Sequence, residues 1–397
     1  MRSRILKYVT AAVMAGLALF AAAEQPPHQP SKYYVFNLGE PGGGTAASAA
    51  SINNAGWIAG AANQPGDASE HAELWVGAPF DLGTLGGPNS AIAWPNKNNH
   101  GELAGIAETA DLNPLGEAWS CALANFPTIT NHVCLGFVWR DGVMTALPTL
   151  GGYDGYAAGN NNRGQVAGWA ENTVHDPTCN PPQVLQFEAV VWGPEPNQIT
   201  ALSPLAPDPD SAATAINDRG QVVGISGICS NAVGGESARH AVLWQNGVPM
   251  DIGNFDGGKA WNTPTAINNF GQVVGFANLP NSGTSFNPVG FIWSRGHKIQ
   301  QLGPLPDNSN SWAWGINSKG QVVGQSFGPG GRAFLYQDGT MYDLNALVLP
   351  GSSLQLLLAN DINDRGEIVG FAKDLNTGNQ VAFLAVPVDD EDDLSSK

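Results

Sequence analysis

The chain has 397 residues and carries 50 Gly and 28 Pro, together about a fifth of its length, while only 13% of its residues are charged. Ordinary hydrophobic content (43%) with so little charge excludes intrinsic disorder, which needs the reverse. Abundant Gly and Pro also argue against a helical bundle and favour short strands joined by tight turns. The net charge of −17 leaves no basic surface for phosphate, so nucleic acid is excluded as an expected partner.

Residues 1–23 read as a secretory signal. Arg2, Arg4 and Lys7 precede a 14-residue apolar run, Val9 to Ala22, which is too short to span a bilayer comfortably. Ala21-Ala22-Ala23 supplies small residues for cleavage before Glu24. No other apolar run approaches a membrane span. The expectation is a secreted or periplasmic protein with a flexible lead-in at 24–32.

From Tyr33 onward the chain repeats itself. The pattern A-x-x-I-N-[DN]-x-G-Q-V-V-G recurs in seven copies, some of them degenerate, the fullest being AINDRGQVVG at 215–224 and AINNFGQVVG at 266–275. Its first glycines fall at Gly56, Gly101, Gly164, Gly220, Gly271, Gly320 and Gly366, spaced 45 to 63 residues apart. A second segment follows each copy, such as HAELWVG (71–77), HAVLWQNG (240–247) and GFIWSRG (290–296). A third closes most units, as in FDLGTLGG (80–87) and MDIGNFDGG (250–258). Each unit therefore predicts four short strands, A to D. N-[DN]-x-G is hairpin chemistry between A and B: Asn or Asp opens the turn and Gly takes its left-handed position.

Four antiparallel strands, seven times over, predict an all-β, seven-bladed β-propeller spanning 33–387. The seventh unit lacks strand D at its end. YYVFNLG (33–39) has the strand D pattern and is expected to complete that last blade, closing the ring. The acidic tail 388–397 is expected to be disordered.

The I-N-[DN]-x-G-Q-V-V-G and H-A-[FV]-L-W-x-x-G segments together resemble the bacterial extracellular HAF-repeat family across 33–387. The resemblance implies export and a repeat fold. It implies no activity and no catalytic residues. His-Ala itself survives only at His71-Ala72 and His240-Ala241, which argues against a chemical role for the histidine.

In an antiparallel blade the A–B and C–D turns share one face of the disc, and the B–C and D–A connections share the other. Length variation concentrates in the second, so function is expected on that long-loop face, biased toward blades 2–4. All four cysteines fall there: Cys121, Cys134, Cys179 and Cys229. An even count in an exported chain predicts disulfides, and of three possible pairings locality favours Cys121–Cys134 and Cys179–Cys229. Metal ligation has no supporting spacing.

Trp75, Trp139, Trp192, Trp244 and Trp293, with Tyr336, fill one repeated position and are expected to pack between blades. Trp94, Tyr156, Trp261, Trp312 and Trp314 do not follow the repeat. They are expected at the start of strand A, ringing the channel mouth, where aromatic rings stack on sugars or grip apolar groups. Asp154 and Asp256 are added to this candidate site, with Asp210 and Asp307 nearby.

No P-loop, nucleophile elbow, zinc-protease or dinucleotide motif appears, and N-D-x-G is not a calcium loop. The leading expectation is a non-catalytic binding module, monomeric and without cofactor, for a glycan, envelope polymer or protein. The first alternative is a polysaccharide hydrolase or lyase built on a pair of those aspartates. The second is a structural surface protein.

Overall fold

The computed structural model describes residues 30–388, except 118–120, 123, 230–234, 236, 256–259 and 284. The signal segment and nearly all of the acidic tail lie outside the described residues. Twenty-eight strands form seven four-stranded antiparallel sheets. The first six blades take their strands in sequence, beginning with β2 (Ala47–Ile52) to β5 (Ala78–Asp81) and ending with β22 (Asn310–Ile316) to β25 (Thr340–Asp343). Blade 7 is built from β26 (Leu354–Ile362), β27 (Ile368–Asp374), β28 (Gln380–Pro387) and β1 (Tyr33–Gly39). The fold is the seven-bladed propeller read from the repeats. Its closure is also as expected: β1 pairs antiparallel with β28, Tyr33 opposite Pro387 and Gly39 opposite Ala382.

The repeated motif performs three jobs. The first Gly of every copy has positive φ, between 70° and 86°, a conformation that costs glycine nothing. The second Gly removes a clash. A Cβ on Gly60, Gly168, Gly224, Gly275, Gly324 or Gly370 would sit 1.9–2.1 Å from a carbonyl oxygen of its own strand A. That approach comes from a bulge in strand A, seen for example between Ala213 and Ala215 and between Ala313 and Gly315.

The Asn of I-N is the third element. In blade 4, Asn217 Oδ1 accepts from the backbone N–H of Arg219 and of Gln221, which shapes the hairpin. Its Nδ2 donates to the Gln221 side chain and to the carbonyl of Asn268 in blade 5. The same reach to the next blade recurs all the way round, Asn53→Asn98→Asn161→Asn217→Asn268→Asn317→Asn363→Asn53, at 2.7–3.2 Å. These side chains are buried, so each bond is shielded from water. The following residue makes a second set of inter-blade bonds, open between Asn269 and Ser318, such as Asn162 N–H to Asp218 Oδ1 and Asp218 N–H to Asn269 Oδ1.

Strand-C tryptophans pack between blades as expected. Trp192 and Trp244 are almost fully buried, and their indole N–H groups donate to Pro148 O and Ser203 O of the preceding blade-to-blade connections. The surviving motif histidines clasp the outer strand: His71 Nδ1 lies 2.8 Å from Asp81 Oδ2, and His240 Nδ1 lies 2.9 Å from Asp251 Oδ2. In blade 6, Arg332 takes that place against Asp343. The motif histidine is thus a strand C–strand D tie.

Both disulfides have the pairing that locality favoured, Cys121–Cys134 and Cys179–Cys229. The first lies within blade 2, and the second ties the blade 3 loop to the blade 4 loop.

Two predictions follow from the ring and the cysteines. Asn217→Ala should lower unfolding free energy by about 2–4 kcal/mol, since it removes several buried hydrogen bonds and orphans their partners. Asn269→Ala, in the exposed second set, should cost under about 1 kcal/mol in the same denaturant titration. Alkylation of the denatured protein without reductant should leave its intact mass unchanged.

Candidate functional site

The two faces of the disc differ in the space they offer. On the tight-turn face the channel mouth is ringed by the Asn-rich turns and holds only about 70 Å³. Near that mouth Lys97 of blade 2 reaches past blade 1 to blade 7, where its Nζ is 2.5 Å from Asp361 Oδ1. On the long-loop side, a cavity of about 390 Å³ opens between blades 7, 1 and 2, with Trp314 of blade 6 contributing to its wall. Part of its rim is the blade 2 loop at Asn125 and Pro127, pinned back to blade 1 where Thr128 Oγ1 donates to Ala68 O.

Strand geometry explains how aromatics reach the axis. In each strand A the bulged residue is extra to the ladder. It is small in blades 1, 3, 4 and 5: Ala50, Ala158, Thr214 and Thr265. Thr214 and Thr265 use that position to bond the carbonyls of Pro264 and Ala313 in the next strand A. Blade 6 puts Trp314 there instead. Its ring meets Trp94 of blade 2 edge-on, centroids 5.4 Å apart.

Trp94 corrects one expectation. It does not start strand A but follows β6 (Gly86–Ala91), where Pro95 ends the ladder by removing a donor. The Asn96 side chain substitutes for the lost strand. Its Nδ2 donates to Ala104 O, and its Oδ1 accepts from the N–H of Ala104.

The remaining aromatics form one cluster on blades 5 and 6. Trp312 stacks on Phe276 (5.0 Å), touches Phe327 (5.0 Å) and Trp314 (6.0 Å), and meets Phe286 edge-on. Phe286 in turn holds Trp261 at 4.9 Å. Trp261 has φ of +63°, a backbone outlier for so bulky a side chain. Phe286 is 46% exposed, while Trp261, Trp312 and Phe327 are partly buried, so the cluster has a solvent-facing side. The candidate surface is thus centred on blades 5 and 6, not on blades 2–4. Phe286 and Phe327 went unrecognised in the sequence. Their one signal is an aromatic breaking a Gly/Ser/Asn-rich stretch, NSGTSFN and GQSFG.

Tyr156 is not part of that surface. It is fully buried and stacks on Trp169 at 4.4 Å, in the core that also includes Trp94. Asp154 is fully buried too. Its Oδ1 accepts from Cys134 N–H and its Oδ2 from Asn113 Nδ2. Beside it, Glu171 accepts from the N–H groups of Tyr153 and Asp154 and from Gln183. Glu117 accepts from Val184 and Leu185 N–H. These carboxyls fasten the blade 2 and blade 3 loops together, a structural post away from solvent. Asp210 is likewise buried, accepting from Phe187 N–H. Asp307 is exposed, and Asp256 lies outside the described residues. The buried Asp154 and Asp210 cannot serve as an open hydrolase pair.

Burial shifts these groups in one direction. It raises Asp154 well above the usual carboxyl range, reinforced by the neighbouring Glu171 charge. Burial pushes Glu171 up to about 7 and Asp210 up to about 9. Glu108 lies near Cys121 and Cys134, but both sulfurs are spent in the disulfide, so this group offers no metal site.

No family model and no curated protein matches the chain. Solved propellers do. The β-propeller domain of the Trilobed protease from Pyrococcus furiosus is similar with a TM-score of 0.48 and 8% identity, over 89% of this chain and 95% of that one. Oligogalacturonate lyase from Vibrio parahaemolyticus is similar with a TM-score of 0.46 and 10% identity, over 90% and 94%. Pyrococcus horikoshii acylaminoacyl peptidase matches at 0.48 and 10%, over 91% of this chain but 55% of its own. Likeness at this level speaks to fold alone.

The carboxyl posts set a pH dependence. Their folded pKa values lie above the unfolded 3.8 (Asp) and 4.5 (Glu), so the fold binds their protons more tightly. Their stabilising effect is complete below about pH 4 and falls as pH rises toward 7 for Glu171 and 9 for Asp210. Scanning calorimetry should therefore find a higher Tm at pH 5.5 than at pH 9, and Asp210→Asn should flatten that difference.

Proposed function

We propose that this protein is an exported, non-catalytic binding propeller that holds a glycan or other envelope polymer on its long-loop face. The observation that carries the reading is the joining of Trp261, Phe286, Trp312 and Phe327 into one partly exposed aromatic surface on a rigid rim. Flat rings present large apolar area at little entropic cost, which suits the faces of sugar rings. Side chains with amide and hydroxyl groups border it. Asn310 donates to Asn287, and Asn308 donates to Ser326, so hydrogen-bonding groups stand beside the rings.

Three further features support export. The N-terminal segment has the form of a signal, the repeats resemble those of extracellular HAF-repeat proteins, and two disulfides suit an oxidising compartment. No helix among the described residues is long and apolar enough to cross a membrane.

A binding screen of the purified protein against glycans and surface polymers, read by quenching of tryptophan fluorescence, tests the proposal. At least one polysaccharide should bind, and Trp312→Ala should weaken it tenfold or more, about 1.4 kcal/mol. Retained affinity in both Trp312→Ala and Trp261→Ala would overturn the site. Turnover of the bound polymer would overturn the non-catalytic reading.

A further inference from the structure

The 390 Å³ cavity beside the axis carries a feature the aromatic surface does not explain. Its volume falls within the range of small-molecule sites, roughly 300–1,000 Å³. Much of its wall is alanine, with Ile92, Leu358 and Phe371 adding larger apolar groups. One charged residue lines it: Glu70, the first residue of β4 (Glu70–Val76). The backbone N–H of Glu70 donates to Asn89 Oδ1, but its carboxyl has no hydrogen-bond donor among the described residues. Glu70 is half-buried and lines the cavity, so its carboxyl is open to a ligand that supplies the missing donors.

The other polar groups of the wall point to the same ligand chemistry. The Asn360 side chain spends its N–H on Ala49 O, and that of Gln380 reaches Ala47 O. Both leave their amide oxygens as acceptors. The wall thus combines acceptors, one carboxyl and apolar surface, with an indole from Trp314. No Lys, Arg or His lines it. The whole protein is acidic, at −17, so its field draws cations toward such a recess.

We propose that this cavity is a binding site for a small primary ammonium compound with an apolar body, its ammonium group paired with Glu70. The N–H donors of the cation meet the carboxylate and the amide oxygens, and the hydrocarbon body lies against the alanine wall. The site adjoins the aromatic cluster of blades 5 and 6 through Trp314, which lines the cavity and packs against Trp312.

The electrostatics around Glu70 make the proposal measurable. Burial pushes its carboxyl up to about 8, with no hydrogen bond to bring it down. Tyr156 of blade 3 feels the Glu70 charge, and its phenol is raised by burial beyond its usual range. Glu108 of β7 (Glu102–Leu112) connects to Glu70 only through Asn89, which donates to Glu108 Oε2. On β4 itself, His71 is turned to Asp81, and Glu73 is raised to about 7 by burial and by Asp81. An incoming cation therefore displaces the Glu70 proton. Apparent affinity scales with the ionised fraction, about 1% at pH 6 and about 90% at pH 9.

Isothermal titration with cyclohexylmethylammonium, which stays protonated over this range, tests the site. Binding should be about a hundredfold tighter at pH 9 than at pH 6 and should release a proton near pH 7, read from heats in two buffers. Cyclohexylmethanol, the neutral counterpart, should bind at least tenfold more weakly at pH 9. Glu70→Gln should abolish the pH dependence, and Glu70→Asp, which keeps the charge, should retain part of it. Equal binding of the amine and the alcohol, absence of amine binding at pH 9, or an unaltered pH profile in folded Glu70→Gln would each overturn the proposal.

Discussion

The fold depends on one buried hydrogen bond made seven times: an asparagine side chain donating to the backbone carbonyl of the next blade's equivalent asparagine. Neighbouring blades share no sheet and meet through side chains and a few isolated backbone bonds, such as Ile92 N–H to Gly60 O. The asparagine circle supplies directional bonding at the axis, where the blades converge. At about 1 kcal/mol each, seven such bonds sum to about 7 kcal/mol, comparable with the whole net stability of a typical domain. Because the Oδ1 of the same side chain also shapes the A–B hairpin, turn geometry and blade spacing are fixed by one residue. A propeller made this way needs little charge, and the low charge of the chain follows from it.

Blade count and closure were legible because they are written in local chemistry. Asn, Gly and a β-branched pair recur at fixed offsets, and the missing strand D at one end is matched by YYVFNLG at the other. Disulfide pairing was legible from proximity alone. The second glycine of the motif was not, because its reason is a bulge in the neighbouring strand. Trp94 was misplaced since Pro95 cuts strand A short and Asn96 replaces it by a side-chain mimic of a peptide group. Asp154 and Asp210 read as mouth residues, yet they are buried posts between loops. Which aspartate in a loop is enclosed is decided by the loop lying over it. Glu70 gave no signal, since it opens a strand like any other polar residue and owes its isolation to the small alanines of blades 1 and 2.

These features together define a division of labour around the disc. Blades 2, 3 and 4 carry the longest loops, and these are cross-braced by both disulfides and by buried carboxyls. Blades 5 and 6 have shorter connections and carry the exposed rings. The proposed polymer surface thus lies apart from the longest loops, which act as a buttress.

The pairing of β1 with β28 has a consequence for how the chain comes to be folded. Tyr33 and Pro387 are neighbours in space and nearly the full length of the domain apart in sequence. Whether the chain is delivered from a ribosome or through a membrane pore, its N-terminal end appears first. The first strand must then wait, unpaired on its outer blade, until the last strand arrives. Six blades can form from local hairpins in order, but the seventh joins the two ends and pays the largest loop-closure entropy of any contact in the protein. Ring completion therefore needs both ends of the chain, and a truncated chain exposes an unpaired sheet edge that a protease or a chaperone can recognise.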